Sequence, residues 1–209
     1  MQQSDRSDHW DTYYQGKEVP LIPSQFAVFA LGEYSPDTVV DIGCGSGRDS
    51  FFFAAQGIRT IGLDGSASAV DLCSSRVGNQ QLQFKQVDVK DPLFAEKIQG
   101  LVAGSSRLLV YARFFVHAIT DDEEDMLLRN ISKILSETPG ILAVEFRTPR
   151  DRSLSKVTPD HYRRFVEPTA FVSRAAGHGL KPLYSAEGFG MAKYKEDDAY
   201  VARLIFSGN

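Results

Sequence analysis

The chain has 209 residues, 43% apolar and 24% charged, the proportions of an ordinary globular protein, and its size fits one domain because cores usually split only beyond about 250 residues. Lys and Arg total 23 against 27 for Asp and Glu, a net charge of −4, so no overall positive field draws in a nucleic acid. No apolar run approaches the roughly 20 residues of a membrane helix, the opening Met1-Gln2-Gln3-Ser4-Asp5-Arg6-Ser7-Asp8 lacks the apolar core of a signal peptide, and Cys44 and Cys73 have no companion ligands, so a cytoplasmic chain with reduced thiols is expected.

Residues 1–37 read as an N-terminal helical extension of a single domain, packing over it as a lid; it carries His9-Trp10-Asp11-Thr12-Tyr13-Tyr14 and, later, Phe26. From Thr38 on, short β-branched or apolar runs alternate with helical patterns, the signature of a parallel sheet clothed by helices. Strands are expected at Val39 to Ile42, Thr60 to Leu63, Leu82 to Val87, Leu108 to Tyr111, Ile141 to Phe146, Leu180 to Ser185 and Tyr200 to Phe206. Helices are expected at Asp49 to Ala55, at Ser66 to Arg76 behind a serine cap, and from Pro92 behind Asp91. Thr120 and Glu123 form a capping box ahead of Met126, Leu127, Ile131, Ile134 and Leu135, and Pro139-Gly140 stops that helix. A last helix follows Glu167-Pro168 and ends at Gly177. The final two strands are joined by a linker without helical pattern and can pair antiparallel.

The informative stretch is Val39-Val40-Asp41-Ile42-Gly43-Cys44-Gly45-Ser46-Gly47-Arg48-Asp49, a strand running into a glycine loop and then a helix. Glycines let a ligand lie directly against the backbone. A dehydrogenase loop would place its third glycine where Arg48 stands. Asp41 before the loop suits a ligand with an ammonium group and would repel a pyrophosphate.

This D-x-G-x-G-x-G loop resembles that of the class I S-adenosylmethionine-dependent methyltransferases, of the small-molecule type. The resemblance continues in Ile61-Gly62-Leu63-Asp64-Gly65-Ser66, where Asp64 stands where the family accepts the ribose hydroxyls. It continues again in Gln86-Val87-Asp88-Val89, where Asp88 stands where an Asp receives the adenine amino group. It implies a Rossmann-like α/β fold with a seven-stranded, mostly parallel sheet of order 3-2-1-4-5-7-6, strand 7 antiparallel, with helices on both faces. It also implies S-adenosylmethionine as cofactor and S-adenosylhomocysteine as product, held by Asp41, Gly43, Cys44 through its backbone, Gly45, Asp64, Gly65, Ser66, Asp88, Val89 and Tyr111. Read without the resemblance, Asp64 caps the helix near Ser66, and Asp88 opens a turn before Asp91-Pro92.

An acceptor belongs beyond the carboxyl ends of the strands. After strand four comes Tyr111-Ala112-Arg113-Phe114-Phe115-Val116-His117, which is not the Asp/Asn-Pro-Pro-Tyr motif of nucleobase and amide methylation and is similar to a stretch of some small-molecule methyltransferases. A hydroxyl acceptor needs a base, for which His117 is the candidate. A carboxylate, phosphate or phosphonate needs positive charge instead, and Arg113, Arg147, Arg150, Arg152, Arg163 and Arg164 all follow strand four or five, with Arg113, Arg147 and Arg164 the candidates. His117 as a packed residue and Arg164 as a solvated one are the plain alternatives. Tyr13, Tyr14 and Phe26 are expected to cover the acceptor and the methionine end of the cofactor. O-methylation of a small polar acceptor, anionic ones included, is the leading reading, without nucleic acid, membrane or metal. The competing readings are N-methylation of a small amine, methylation of a carbohydrate, and a non-catalytic cofactor-binding subunit.

Overall fold

A computed structural model describes residues 10–14, 22–78, 80–154, 162–194 and 196–208; the rest of the extension, His9 included, lies outside them. The strands are β1 (Thr38–Ile42), β2 (Arg59–Asp64), β3 (Leu82–Gln86), β4 (Leu108–Arg113), β5 (Gly140–Arg147), β6 (Lys181–Gly188), the short pair β7 (Lys193–Tyr194) and β8 (Asp197–Asp198), and β9 (Val201–Ser207). The helices are a short α1 at residues 10–14, then α2 (Gln25–Tyr34), α3 (Arg48–Ala55), α4 (Ala67–Ser74), α5 (Phe94–Leu101), α6 (Asp121–Glu137) and α7 (Pro168–Gly177).

Seven strands form one sheet in the order β3-β2-β1-β4-β5-β9-β6. The first five are parallel, and β9 runs antiparallel to both β5 and β6. The expected topology is therefore present, with β9 in the place of the seventh strand. The order reverses between β1 and β4, where a crevice opens at the carboxyl ends of the strands. Asp41 on β1 stands there in register with Gly62 on β2 and Tyr111 on β4.

Every residue of β1 is buried, as a strand with both faces covered requires. On one face α5, α6 and α7 pack Phe94, Ile98, Leu127, Ile131 and Phe171 against Val40, Val110 and Phe206. On the other, Phe26, Ala27 and Ala30 of α2 join Phe53 and Tyr111. The capping box is present at Thr120 and Glu123, and α6 ends before Pro139-Gly140.

Three local expectations change. Helix α5 starts at Phe94 rather than Pro92, because Asp91 turns the chain first: its side chain accepts from Leu93 N at 2.9 Å and its carbonyl from Phe94 N at 2.9 Å. The linker between the last strands contains the β7–β8 hairpin. Helix α2 is part of the body of the domain, anchored by Phe26, which is fully buried. Among the described residues no helix is long and apolar enough to cross a membrane.

Candidate functional site

Two adjoining cavities occupy the crevice, of about 160 Å³ and about 270 Å³, and Trp10, Tyr14, Gly43 and Phe114 line both. The glycine loop is their common floor. Gly43 and Gly45 have φ of +69° and +54°, and a Cβ would stand 2.3 Å from the Phe115 ring on the first and 2.4 Å from the Tyr14 hydroxyl on the second. Only glycine combines that backbone with that closeness.

The smaller cavity is walled by the ends of β2 and β3. Asp64 takes a hydrogen bond from Gly45 N at 2.9 Å and another from Ser66 N at 2.9 Å. Burial pushes its pKa up, and these backbone donors hold it back. Gly65, Ser66, Asp88 and Val89 complete this side. Asp88 closes a turn, accepting from Lys90 N at 2.9 Å, and the same turn sets it on the cavity wall.

The larger cavity begins at Asp41. That carboxylate is 3% exposed and accepts from Ser50 Oγ at 2.5 Å. Burial, and then the charge of Asp49, pushes its pKa up to about 7. Opposite stands Arg113, whose Nε donates to Glu145 Oε1 at 2.9 Å. Burial disfavours the Arg113 cation, but Glu145 outweighs it and holds the pKa up. Glu145 is fully buried and also accepts from Arg203 Nε at 2.7 Å, so one carboxylate serves two guanidinium groups. Phe114 has φ +56°, a strained region for an aromatic residue. Its ring lies 4.2 Å from the Arg113 guanidinium and 5.3 Å from that of Arg147.

His117 also lines this cavity. Its Nδ1 accepts the backbone N–H of Arg147 at 3.3 Å, which assigns the proton of the neutral ring to Nε2. Arg147 donates to Asp151 at 2.7 Å and to Asp197 on β8 at 2.5 Å.

The crevice thus brings together Tyr13, Tyr14, Asp41, Gly43, Cys44, Gly45, Asp64, Gly65, Ser66, Asp88, Val89, Arg113, His117 and Arg147. Three candidates line neither cavity. Phe26 is a core residue, stacked on Tyr111 at 5.0 Å. Tyr111 is itself fully buried, its hydroxyl spent on Asp49 at 2.8 Å and Ser24 at 3.1 Å. Arg164 turns to Glu124 at 2.6 Å and to Asp121. Sequence reasoning did not assign Trp10, Arg48, Asp49, Ala192, Tyr194 and Asp197 to this site, though all six line the larger cavity, as does Arg163. Arg48 was a usable signal, since a long cation stands where a glycine loop elsewhere has a glycine. It binds the carbonyls of Ile22 at 2.6 Å and Pro23 at 3.2 Å.

A family model described as Methyltransferase domain matches residues 39–138. The chain is similar to the cypemycin N-terminal methyltransferase of a Streptomyces species, 27% identical over 158 residues, which is 72% of this chain and 60% of the relative. It therefore spans about 60% of that curated relative's length. Among solved structures, the SAM-dependent methyltransferase from Anabaena variabilis has a TM-score of 0.72 at 16% identity, over 100% of this chain and 96% of that one. The magnesium protoporphyrin IX methyltransferase from Synechocystis, with bound SAH, has a TM-score of 0.59 at 14% identity, over 99% and 84%. At these identities the two structures attest the shared fold.

Proposed function

We propose that the chain is a class I S-adenosylmethionine-dependent methyltransferase and that it methylates an anionic oxygen of a small polar acceptor. The donor fits what is present. Bare backbone at Gly43 and Gly45 leaves room for a ligand chain. Asp41, raised to about 7 by burial and then by the charge of Asp49, is suited to an ammonium group, which would offset both. Asp64 with Gly65 and Ser66 is suited to a ribose, and Asp88 with Val89 to an adenine edge. When bound, S-adenosylmethionine supplies a methyl group on a sulfonium, displaced in line by a nucleophile held about 3 Å away.

The acceptor reading rests on the larger cavity, and above all on His117. With Nδ1 occupied by the Arg147 N–H, the imidazole presents a donor and is poorly placed to take a proton. An oxyanion has no proton to lose. Arg48, Arg113 and Arg163 are on the same wall, and the Glu145 carboxylate that holds Arg113 is shared with Arg203, so it neutralises Arg113 only in part. Planar guanidinium groups suit carboxylates and phosphates alike. Arg113→Ala is expected to raise KM for the acceptor and lower kcat, with KM for S-adenosylmethionine little changed. Equal activity would remove the oxyanion role.

A second reading, N-methylation of an amine, is favoured by Asp49 and Asp197 on the cavity wall and by the likeness to a peptide N-terminal methyltransferase. Either way we read a single-domain cytoplasmic enzyme, with residues 10–14 as part of its cover, a small-molecule acceptor, and no nucleic-acid or membrane partner.

A further inference from the structure

We infer that Asp11 is a positioning residue whose carboxylate latches α1 onto the amino end of α4, setting Trp10 and Tyr14 over the cofactor cavity. The inference rests on the reading of the smaller cavity as the cofactor's. A short helical segment does not hold itself together in water, so the placement of residues 10–14 must come from their contacts. Two aromatic contacts are internal to the segment: Trp10 stacks on Tyr14 at 5.9 Å and meets Tyr13 edge-on at 5.5 Å. These two contacts order the segment and do not by themselves say where it sits.

Asp11 does. Its Oδ1 accepts from Ser66 Oγ at 2.5 Å and from Ser68 N at 3.2 Å. Ser66 is the N-cap of α4, its Oγ accepting from Ala69 N at 3.1 Å. The same Ser66 donates its backbone N–H to Asp64 Oδ1 at 2.9 Å. One serine therefore connects the cover, the helix end and the carboxylate suited to the ribose. A carboxylate at this helix end is also favoured by the exposed N–H groups and the helix dipole. The consequence is geometric: Trp10 and Tyr14 are the residues of α1 that line both cavities, and the Tyr14 hydroxyl lies against Gly45. Releasing Asp11 frees that wall without touching the glycine loop itself.

Trp10 is the single tryptophan of the chain, so its fluorescence reports the latch directly. The test compares acrylamide quenching of the full-length protein, free of ligand, with that of Asp11→Ala and Asp11→Asn, and then measures S-adenosylhomocysteine binding to all three by calorimetry. Asp11→Ala is expected to quench more readily and to bind about fivefold to tenfold more weakly, the range that loss of a helix cap gives. Asp11→Asn keeps an acceptor oxygen and should restore both. Unchanged quenching in Asp11→Ala, failure of Asp11→Asn to restore it, or a freed Trp10 with undiminished binding would each overturn the latch. Failure of the wild type to bind, with the quenching pattern as expected, would instead leave the latch standing and sink the cofactor reading.

Discussion

The Nδ1 of His117 accepts the backbone N–H of Arg147 at 3.3 Å, so the one histidine that lines the crevice among the described residues is committed by the main chain of β5 before any substrate arrives. Its role should therefore be small in proton transfer. His117→Asn retains an acceptor for that N–H and is expected to keep kcat within about tenfold of wild type, below the usual worth of a general base. The pH profile of kcat should lack a histidine limb. A loss of about 100-fold or more, with a wild-type rate climbing through pH 6 to 7, would assign His117 as a base.

Asp41 gives a pH dependence with a definite sign. Its folded pKa is raised, to about 7 from an ordinary value of 3.8, so the folded chain holds a proton that the unfolded chain has lost. The stability contributed is fully present below about pH 4 and is lost as pH rises through about 7. Asp41→Asn should thus gain in Tm relative to wild type as pH is raised from 5 to 8. A bound ammonium reverses the preference. S-adenosylhomocysteine affinity should rise by about tenfold between pH 6 and 8, with proton release detected by calorimetry in buffers of different ionisation enthalpy. A flat affinity would separate Asp41 from the ligand.

Gly45→Ala places a Cβ 2.4 Å from the Tyr14 hydroxyl on a backbone at φ +54°. The variant should fold yet bind S-adenosylhomocysteine at least about tenfold more weakly, from the combined backbone and steric cost. Removing the hydroxyl in Tyr14→Phe/Gly45→Ala should recover part of the loss. Wild-type affinity in Gly45→Ala would show that Tyr14 does not lie on the loop when ligand is bound.

Tyr111 separates a structural residue from a cofactor ligand. Its hydroxyl shares Asp49 with Ser24, whose N and Oγ donate to that carboxylate at 2.8 Å and 2.7 Å. Tyr111→Phe should cost about 1 kcal/mol of stability and leave S-adenosylhomocysteine affinity unchanged. Asp49→Ala should cost more, about 2 to 4 kcal/mol, because it strands two buried hydroxyl groups. Thermal unfolding measures both, and a lost affinity in Tyr111→Phe would return it to the cofactor site.

The strands were legible in the sequence because β1, β4 and β5 are buried on both faces and so read as β-branched and apolar runs. Helix α6 was legible through Thr120 and Glu123, whose reciprocal bonds are local. The glycine loop, Asp41 and Asp64 were legible because each lies at or just past a strand end, although the bonds that hold the two carboxylates come from farther away in the chain, Ser50 to Asp41 and Gly45 to Asp64. Phe26 and Tyr111 were misplaced because an aromatic near a site in sequence says nothing about which face it takes, and their burial depends on the packing of α2 against α3. Tyr194 and Asp197 could not be found, since the β7–β8 hairpin reaches the crevice only through the antiparallel pairing of β9 between β5 and β6. Arg164 was misread because Glu124, its partner, looks like an ordinary solvent-facing residue in the first turn of α6.

The most direct measurement is transfer of a labelled methyl group from S-adenosylmethionine into fractionated small-molecule extracts, with the product compared with its acceptor by anion exchange. Methylation of an anionic oxygen predicts a labelled product carrying one negative charge fewer than the acceptor, absent with Asp64→Ala and strongly reduced with Arg113→Ala. Label on an amine, or a product of unchanged charge that forms equally well with Arg113→Ala, would contradict it.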